Sequence, residues 1–119
     1  MPKTKAVLVL RRDVRLVEPR DLLECLFPRR PHYVEIAMRL LPLIASGKIN
    51  RTAYKWVTRE LGVPKTTYYY VLGRLRAAGL VYYDSESGRY ALSSRFSVNL
   101  RKMAEYWEGL AEKLKSEAS

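Results

Sequence analysis

The stretch Leu61–Val81, LGVPKTTYYYVLGRLRAAGLV, constrains this chain more than any other. Gly62 stands where a helix can end in the left-handed conformation that glycine adopts at little cost. Pro64 suits the first turn of a new helix, because the N–H it lacks has no helical partner there. Tyr68, Leu72 and Leu75 then recur at spacings of four and three, with Val71 and Ala78 beside them, which marks one face of a helix over 64–78. Gly79 supplies a second helix stop. Leu80-Val81-Tyr82-Tyr83 is β-branched and aromatic and reads as a strand. A second strand at Arg89–Ser93 follows the first, Leu80–Asp84, through Ser85-Glu86-Ser87-Gly88, which is a hairpin signal.

Upstream, residues 50–61 read as a helix capped by Asn50 that buries Ala53, Trp56, Val57 and Leu61. Residues 32–46 read as another, with Ile36, Ala37, Leu40 and Ile44 as its buried stripe. Pro42 should kink or shorten it. Lys48-Ile49 is a minimal strand that can pair with the hairpin. Glu18-Pro19-Arg20-Asp21 opens a short amphipathic helix through Leu22, Leu23, Leu26 and Phe27, broken at Pro28-Arg29-Arg30-Pro31. The apolar runs 6–10 and 14–17 read as one or two strands.

In order, Leu61, Gly62, Val63, Pro64, Lys65, Thr66, Thr67 and Tyr68, then Leu72, Leu75, Ala78, Gly79, Leu80 and Val81, resemble the second half of a winged helix-turn-helix transcription regulator. The likeness is to the MarR-like and ArsR-like superfamily, in a small archaeal form, and spans roughly residues 33–93. It implies a mainly α fold with a small β-wing, a winged helix-turn-helix domain over 32–93; outside it, the residues themselves give a strand and short-helix extension over 1–31 and a C-terminal dimerisation helix over 94–119. It further implies a DNA-binding transcription regulator whose helix 64–78 enters the major groove, while the wing 80–93 meets the backbone or the minor groove. An architectural protein tolerant of sequence, or a winged-helix module for protein contacts, would carry the same pattern.

Charge separates these readings. The net charge is +10, and residues 48–80 hold seven Lys/Arg against Glu60 alone, whereas residues 81–119 hold six of each sign. A cationic stretch on the motif favours a polyanionic partner, double-stranded DNA, over a protein module. A solvated basic surface without a partner is the plainer alternative. With Tyr68, Val71, Leu72 and Leu75 inward, the outward set is Lys65, Thr66, Thr67, Tyr69, Tyr70 and Arg74. Lys65 can bond guanine or phosphate, and the threonines can reach either. Tyr69 and Tyr70 can donate to phosphate or pack on thymine methyls. Packing alone explains one tyrosine of three, since a helix cannot bury three in a row. Arg51, Lys55, Arg74 and Arg76 suit phosphate, and Arg89, at the base of the wing, the minor groove.

After residue 93 the pattern changes. Phe96, Leu100, Met103, Trp107, Leu110 and Leu114 are spaced 4, 3, 4, 3, 4, a heptad seam. Such a helix either lies back on its own domain or pairs with a second subunit. The winged core closes without it, so the expectation is a homodimer.

One cysteine, Cys25, and one histidine, His32, leave no disulfide framework, no zinc set and no nucleophile pair. Cys25 lies among leucines, so a buried inert thiol is expected, with an intermolecular disulfide as the alternative. His32 reads as a surface or capping residue. No phosphate loop or protease or esterase motif is present, so neither enzyme activity, nor a metal, nor a cofactor is expected, and no effector-sensing residues stand out. No apolar run reaches the roughly 18 residues of a membrane span, which with the lack of a signal region points to the cytoplasm. Gln is absent and Asn occurs twice, a depletion of thermolabile amides that suits a thermophile.

Overall fold

The computed structural model describes residues 18–118. The strands expected at 6–10 and 14–17 lie outside them. Five helices and one hairpin follow in order: α1 Pro19–Leu26, α2 Pro31–Ala45, α3 Tyr54–Leu61, α4 Lys65–Ala77, β1 Val81–Asp84, β2 Arg89–Leu92 and α5 Arg95–Ala118. The chain is mainly helical with one two-stranded antiparallel sheet among the described residues.

Local chemistry sets the helix ends. α1 opens with a reciprocal capping box between Glu18 and Asp21, with Pro19 at its first position. Gly62 ends α3 at φ +67°, and the N–H of Val63 reaches back to the Thr58 carbonyl. Gly79 does the same for α4 at φ +85°, with Leu80 N–H on the Leu75 carbonyl. In both, a left-handed residue lets the chain turn back and satisfy a terminal carbonyl. A Cβ at Gly79 would also meet the backbone N of Phe96 at 3.3 Å. A side chain there would press on the start of α5.

One apolar core joins the elements. Leu23, Leu26 and Phe27 come from α1 and its end; Val34, Ile36, Ala37, Leu40 and Ile44 from α2. Val57 and Leu61 of α3, Tyr68, Val71, Leu72 and Leu75 of α4, and Val81 and Tyr90 of the hairpin complete it. The buried faces expected for α2 and α4 are therefore present. The boundary expected at residue 31 falls between two helices of this one core, and α1 is also tied to α2 by an Arg20–Glu35 ion pair. Cys25 is buried, and burial pushes its thiol pKa up.

The hairpin pairs Val81 with Leu92, Tyr82 with Ala91, Tyr83 with Tyr90 and Asp84 with Arg89. Ile49 and Asn50 add a short third edge: the N–H of Tyr90 donates to the Ile49 carbonyl at 2.8 Å, and Asn50 bridges to Arg89. The minimal strand expected at 48–49 thus sits one residue further on.

Three expectations need correction. Trp56 is not core: it is 41% exposed, because α3 turns Ala53, Val57 and Leu61 inward. Asn50 does not cap α3 directly. Its Oδ1 accepts from the N–H and Oγ1 of Thr52, both at 3.0 Å, closing a local turn. The helix proper begins four residues later at Tyr54. Pro42 does not stop α2, which continues to Ala45. The carbonyl freed by Pro42 belongs to Met38, which is exposed, so water can take it.

Tyr68→Ala should lower unfolding stability by about 3–5 kcal/mol, as removal of a buried ring leaves a cavity. Trp56→Ala should cost only about 1 kcal/mol, as half-exposed positions do. Urea melts of the two variants, compared at equal slope, check both.

Candidate nucleic-acid interface

The helix pair α3–α4 and the hairpin present one cationic region. α4 buries Tyr68, Val71, Leu72 and Leu75, and so turns Lys65, Thr66, Tyr69, Tyr70, Arg76 and Ala77 to the exterior. Thr67 is half-buried. A line through Thr66, Gly73 and Ala77 forms the centre of the outward face, flanked by a tyrosine on each side.

Both flanks are built from rings and cations. On one, the Lys65 ammonium lies 4.4 Å from the Tyr54 ring centroid and 6.0 Å from that of Tyr69. Tyr54 and Tyr69 stand 5.9 Å apart. On the other, Tyr70 packs 5.1 Å from Tyr33 and 6.5 Å from Phe27, and Arg30 lies 5.7 Å from the Tyr33 ring. His32 is exposed and stacks at 4.1 Å on Tyr33. A cation over a ring face is attracted by the ring quadrupole while its charge stays accessible to solvent. These contacts hold the outward cations in place without neutralising them.

The tyrosines divide as the spacing implied, Tyr68 buried and its two neighbours at 39% and 41% exposure. Neither neighbour is free of the body, however. Burial raises the Tyr69 phenol pKa, with Tyr54 adding to the effect, so Tyr69 is a neutral hydroxyl donor at ordinary pH.

Arg74 is drawn inward. Its Nε and Nη2 donate to the Leu26 carbonyl at 3.1 and 2.7 Å, and its guanidinium lies 5.6 Å from the Phe27 ring. It closes the C-terminal end of α1, where a cation meets the negative end of the helix dipole. Arg74 therefore stands apart from the outward set in which the spacing put it.

Residues 81–93 carry one cation, Arg89, against Asp84 and Glu86. At the turn of the hairpin Asp84 Oδ1 accepts from the Glu86 N–H at 3.0 Å. Arg89 is not at the base of the hairpin as expected: it pairs with Asp84 beside the turn, and its guanidinium runs next to Gly47. Arg51 lies 4.5 Å from the Tyr83 ring centroid and Arg76 5.4 Å from that of Tyr90, which stands 5.1 Å from Tyr83. Lys55 is exposed on α3. Arg51 and Arg76 thus meet the hairpin and Lys65 the α3–α4 side, while Arg74 is committed to α1.

Sequence spacing missed the supporting rings Tyr54, Tyr83 and Tyr33, and Arg30. Nothing local marks the three rings, since each acts on a residue more than ten positions away, whereas Arg30 lies over Tyr33 in the first turn of its own helix. Among the described residues no group of three His, Cys, Asp or Glu side chains could hold a metal ion. Among them, too, no helix is long and apolar enough to cross a membrane.

The described fold is that of a mainly helical protein carrying one small antiparallel hairpin. Residues 18–111 match the model of an archaeal family, and the chain belongs to it. No curated protein and no solved structure matches the chain.

Arg74→Ala should destabilise the fold by about 1–2 kcal/mol, since two charge-assisted bonds to a helix-end carbonyl are lost. Lys65→Ala, whose exposed ammonium rests on the half-buried Tyr54 ring and the exposed Tyr69 ring, should fall within about 0.5 kcal/mol of the parent. Chemical denaturation of both variants makes the comparison.

Proposed function

We propose that this chain is a dimeric, DNA-binding transcription regulator of the winged helix-turn-helix type. In this reading α4 enters the major groove, and the α3–hairpin side holds the backbone. The carrying observation is the outward face of α4. Lys65, Thr66, Tyr69 and Tyr70 are exposed together on a helix whose other face is locked into the core. Two tight turns bracket that helix, and a hairpin follows it directly. Lys65 and Thr66 lie in its first turn, the part of such a helix that reaches base edges. Arg51 and Arg76 on the hairpin side, with Lys55 on α3, supply phosphate contacts.

The dimer reading rests on α5. It is 24 residues long, none of them buried, and its seam residues Met103, Trp107, Leu110 and Leu114 are 49–65% exposed. Phe96 and Leu100, nearest the body, are half-covered. An apolar stripe of this length calls for a partner.

A second reading, binding that tolerates sequence, is favoured by one feature. The centre of the α4 face is Thr66, Gly73 and Ala77, without the Asn, Gln or Arg that read bases through paired hydrogen bonds.

Duplex DNA binding should weaken steeply with salt, each neutralised phosphate adding about −0.9 to the slope of log K against log salt. Arg51→Ala and Lys65→Ala should each flatten the slope by about that amount. A flat wild-type titration would end the DNA reading. Selection from a random duplex pool at physiological salt then divides the two forms of it: an enriched motif marks a regulator, and its absence under a steep slope marks an architectural protein. Leu100→Glu with Leu110→Glu should give monomers by sedimentation, with the helical signal of α1–α4 retained.

A further inference from the structure

We propose that α5 pairs with the α5 of a second copy of this chain in antiparallel orientation, about a two-fold axis at Glu105. The inference rests on the self-association in the reading above and not on its DNA contacts.

The seam assigns the heptad. Leu100, Trp107 and Leu114 take position a, and Phe96, Met103 and Leu110 take position d. Turned end for end about Glu105, the six residues close on one another with none left over. Phe96 meets the partner's Leu114, Leu100 the partner's Leu110, and Met103 the partner's Trp107. Each layer then holds side chains of similar total size, as a close-packed interior requires. A parallel pair would instead set Trp107 on the partner's Trp107 and Phe96 on the partner's Phe96. The largest rings would be doubled in single layers, among layers of leucine or methionine alone.

The flanking columns agree. Every e position is small: Ser97, Ala104, Ala111 and Ala118. In a parallel pair these would face the g positions Asn99, Tyr106 and Lys113, and no interhelical ion pair could form. In the antiparallel pair e faces e, so Ala104 lies against the partner's Ala104 beside the axis. The small contact lets the helices close and brings the b column within reach. Arg101 then stands level with the partner's Glu108, twice by symmetry.

Charge along the helix points the same way. Residues 95–102 carry Arg95, Arg101 and Lys102 and no acid, while residues 103–118 carry four glutamates against two lysines. Antiparallel pairing lays the cationic residues 95–102 on the partner's 108–115, whose two glutamates and two lysines balance, whereas parallel pairing lays three cations on three cations. The same arrangement puts the two bodies at opposite ends of a rod. Each is held there where the Phe96 N–H donates to the Gly79 carbonyl at 3.2 Å, at the end of α4.

The test is a pair of spin-label distances in the full chain. Lys102→Cys and Lys115→Cys are labelled separately in a Cys25→Ala background and measured by pulsed dipolar spectroscopy, beside sedimentation of the unlabelled wild type. Along an antiparallel rod the two copies of position 102 are offset by about 9 Å along the axis and those of position 115 by about 30 Å, at about 1.5 Å per residue, to which the spacing of the helices adds. The expected result is a short distance at 102 and a long one at 115. Short distances at both positions make the pair parallel and overturn the proposal. A monomeric wild type with no dipolar coupling at 102 overturns it together with the dimer reading. Loss of DNA binding with both distances kept overturns only the DNA reading.

Discussion

Burial of the Tyr68 ring holds the described fold together. Its side chain is among the largest fully buried in the chain and stands on the inner face of α4 with Val71, Leu72 and Leu75. α4 therefore sits against α2 and α3 in one rotation about its axis. That rotation fixes everything outside: with Tyr68 inward, Tyr69 and Tyr70 diverge to opposite flanks, and Thr66, Gly73 and Ala77 face outward between them. Burial drives the Tyr68 phenol pKa well above its usual range. An uncharged ring is thus the only state compatible with this packing.

The cations around that face are held by rings. Lys65 rests over Tyr54, Arg51 over Tyr83 and Arg76 over Tyr90. Such contacts contribute about 0.5–1 kcal/mol each at exposed sites. Their larger effect is to order long side chains before a ligand arrives, which lowers the entropy lost on binding. A carboxylate partner would order a cation too, but would cancel its charge. The described ion pairs, Arg20 with Glu24 and Glu35, lie on α1 and α2 and leave the α3–α4 side cationic.

α5 follows a different rule from the rest of the chain. The body closes over its core without it, and its backbone meets that body where the Phe96 N–H donates to the Gly79 carbonyl. Its apolar stripe is exposed from Met103 to Leu114, and none of its residues is buried. A rod attached at one end of α4 would link the placement of two α4 helices to the geometry of the pair.

Much of this was legible in the chain itself. Periodicity located α2, α4 and α5, glycine and proline marked the turns, and β-branched and aromatic runs about a Gly-containing loop located the hairpin, because each signal is local. The inner face of α4 and the heptad of α5 are properties of sequence alone. Tertiary structure decided the rest. Trp56 has a core-like residue type on a helix of only eight residues, and the angle at which α3 meets α2 and α4 leaves it at the surface. Arg74 reads as one more outward cation until α1, 48 residues earlier, offers it a carbonyl. Tyr33, Tyr54 and Tyr83 become supports only when distant helices and the hairpin meet. The seam of α5 could be counted from the chain, but that none of it is buried against its own body depends on where the first turn of the helix leaves the core.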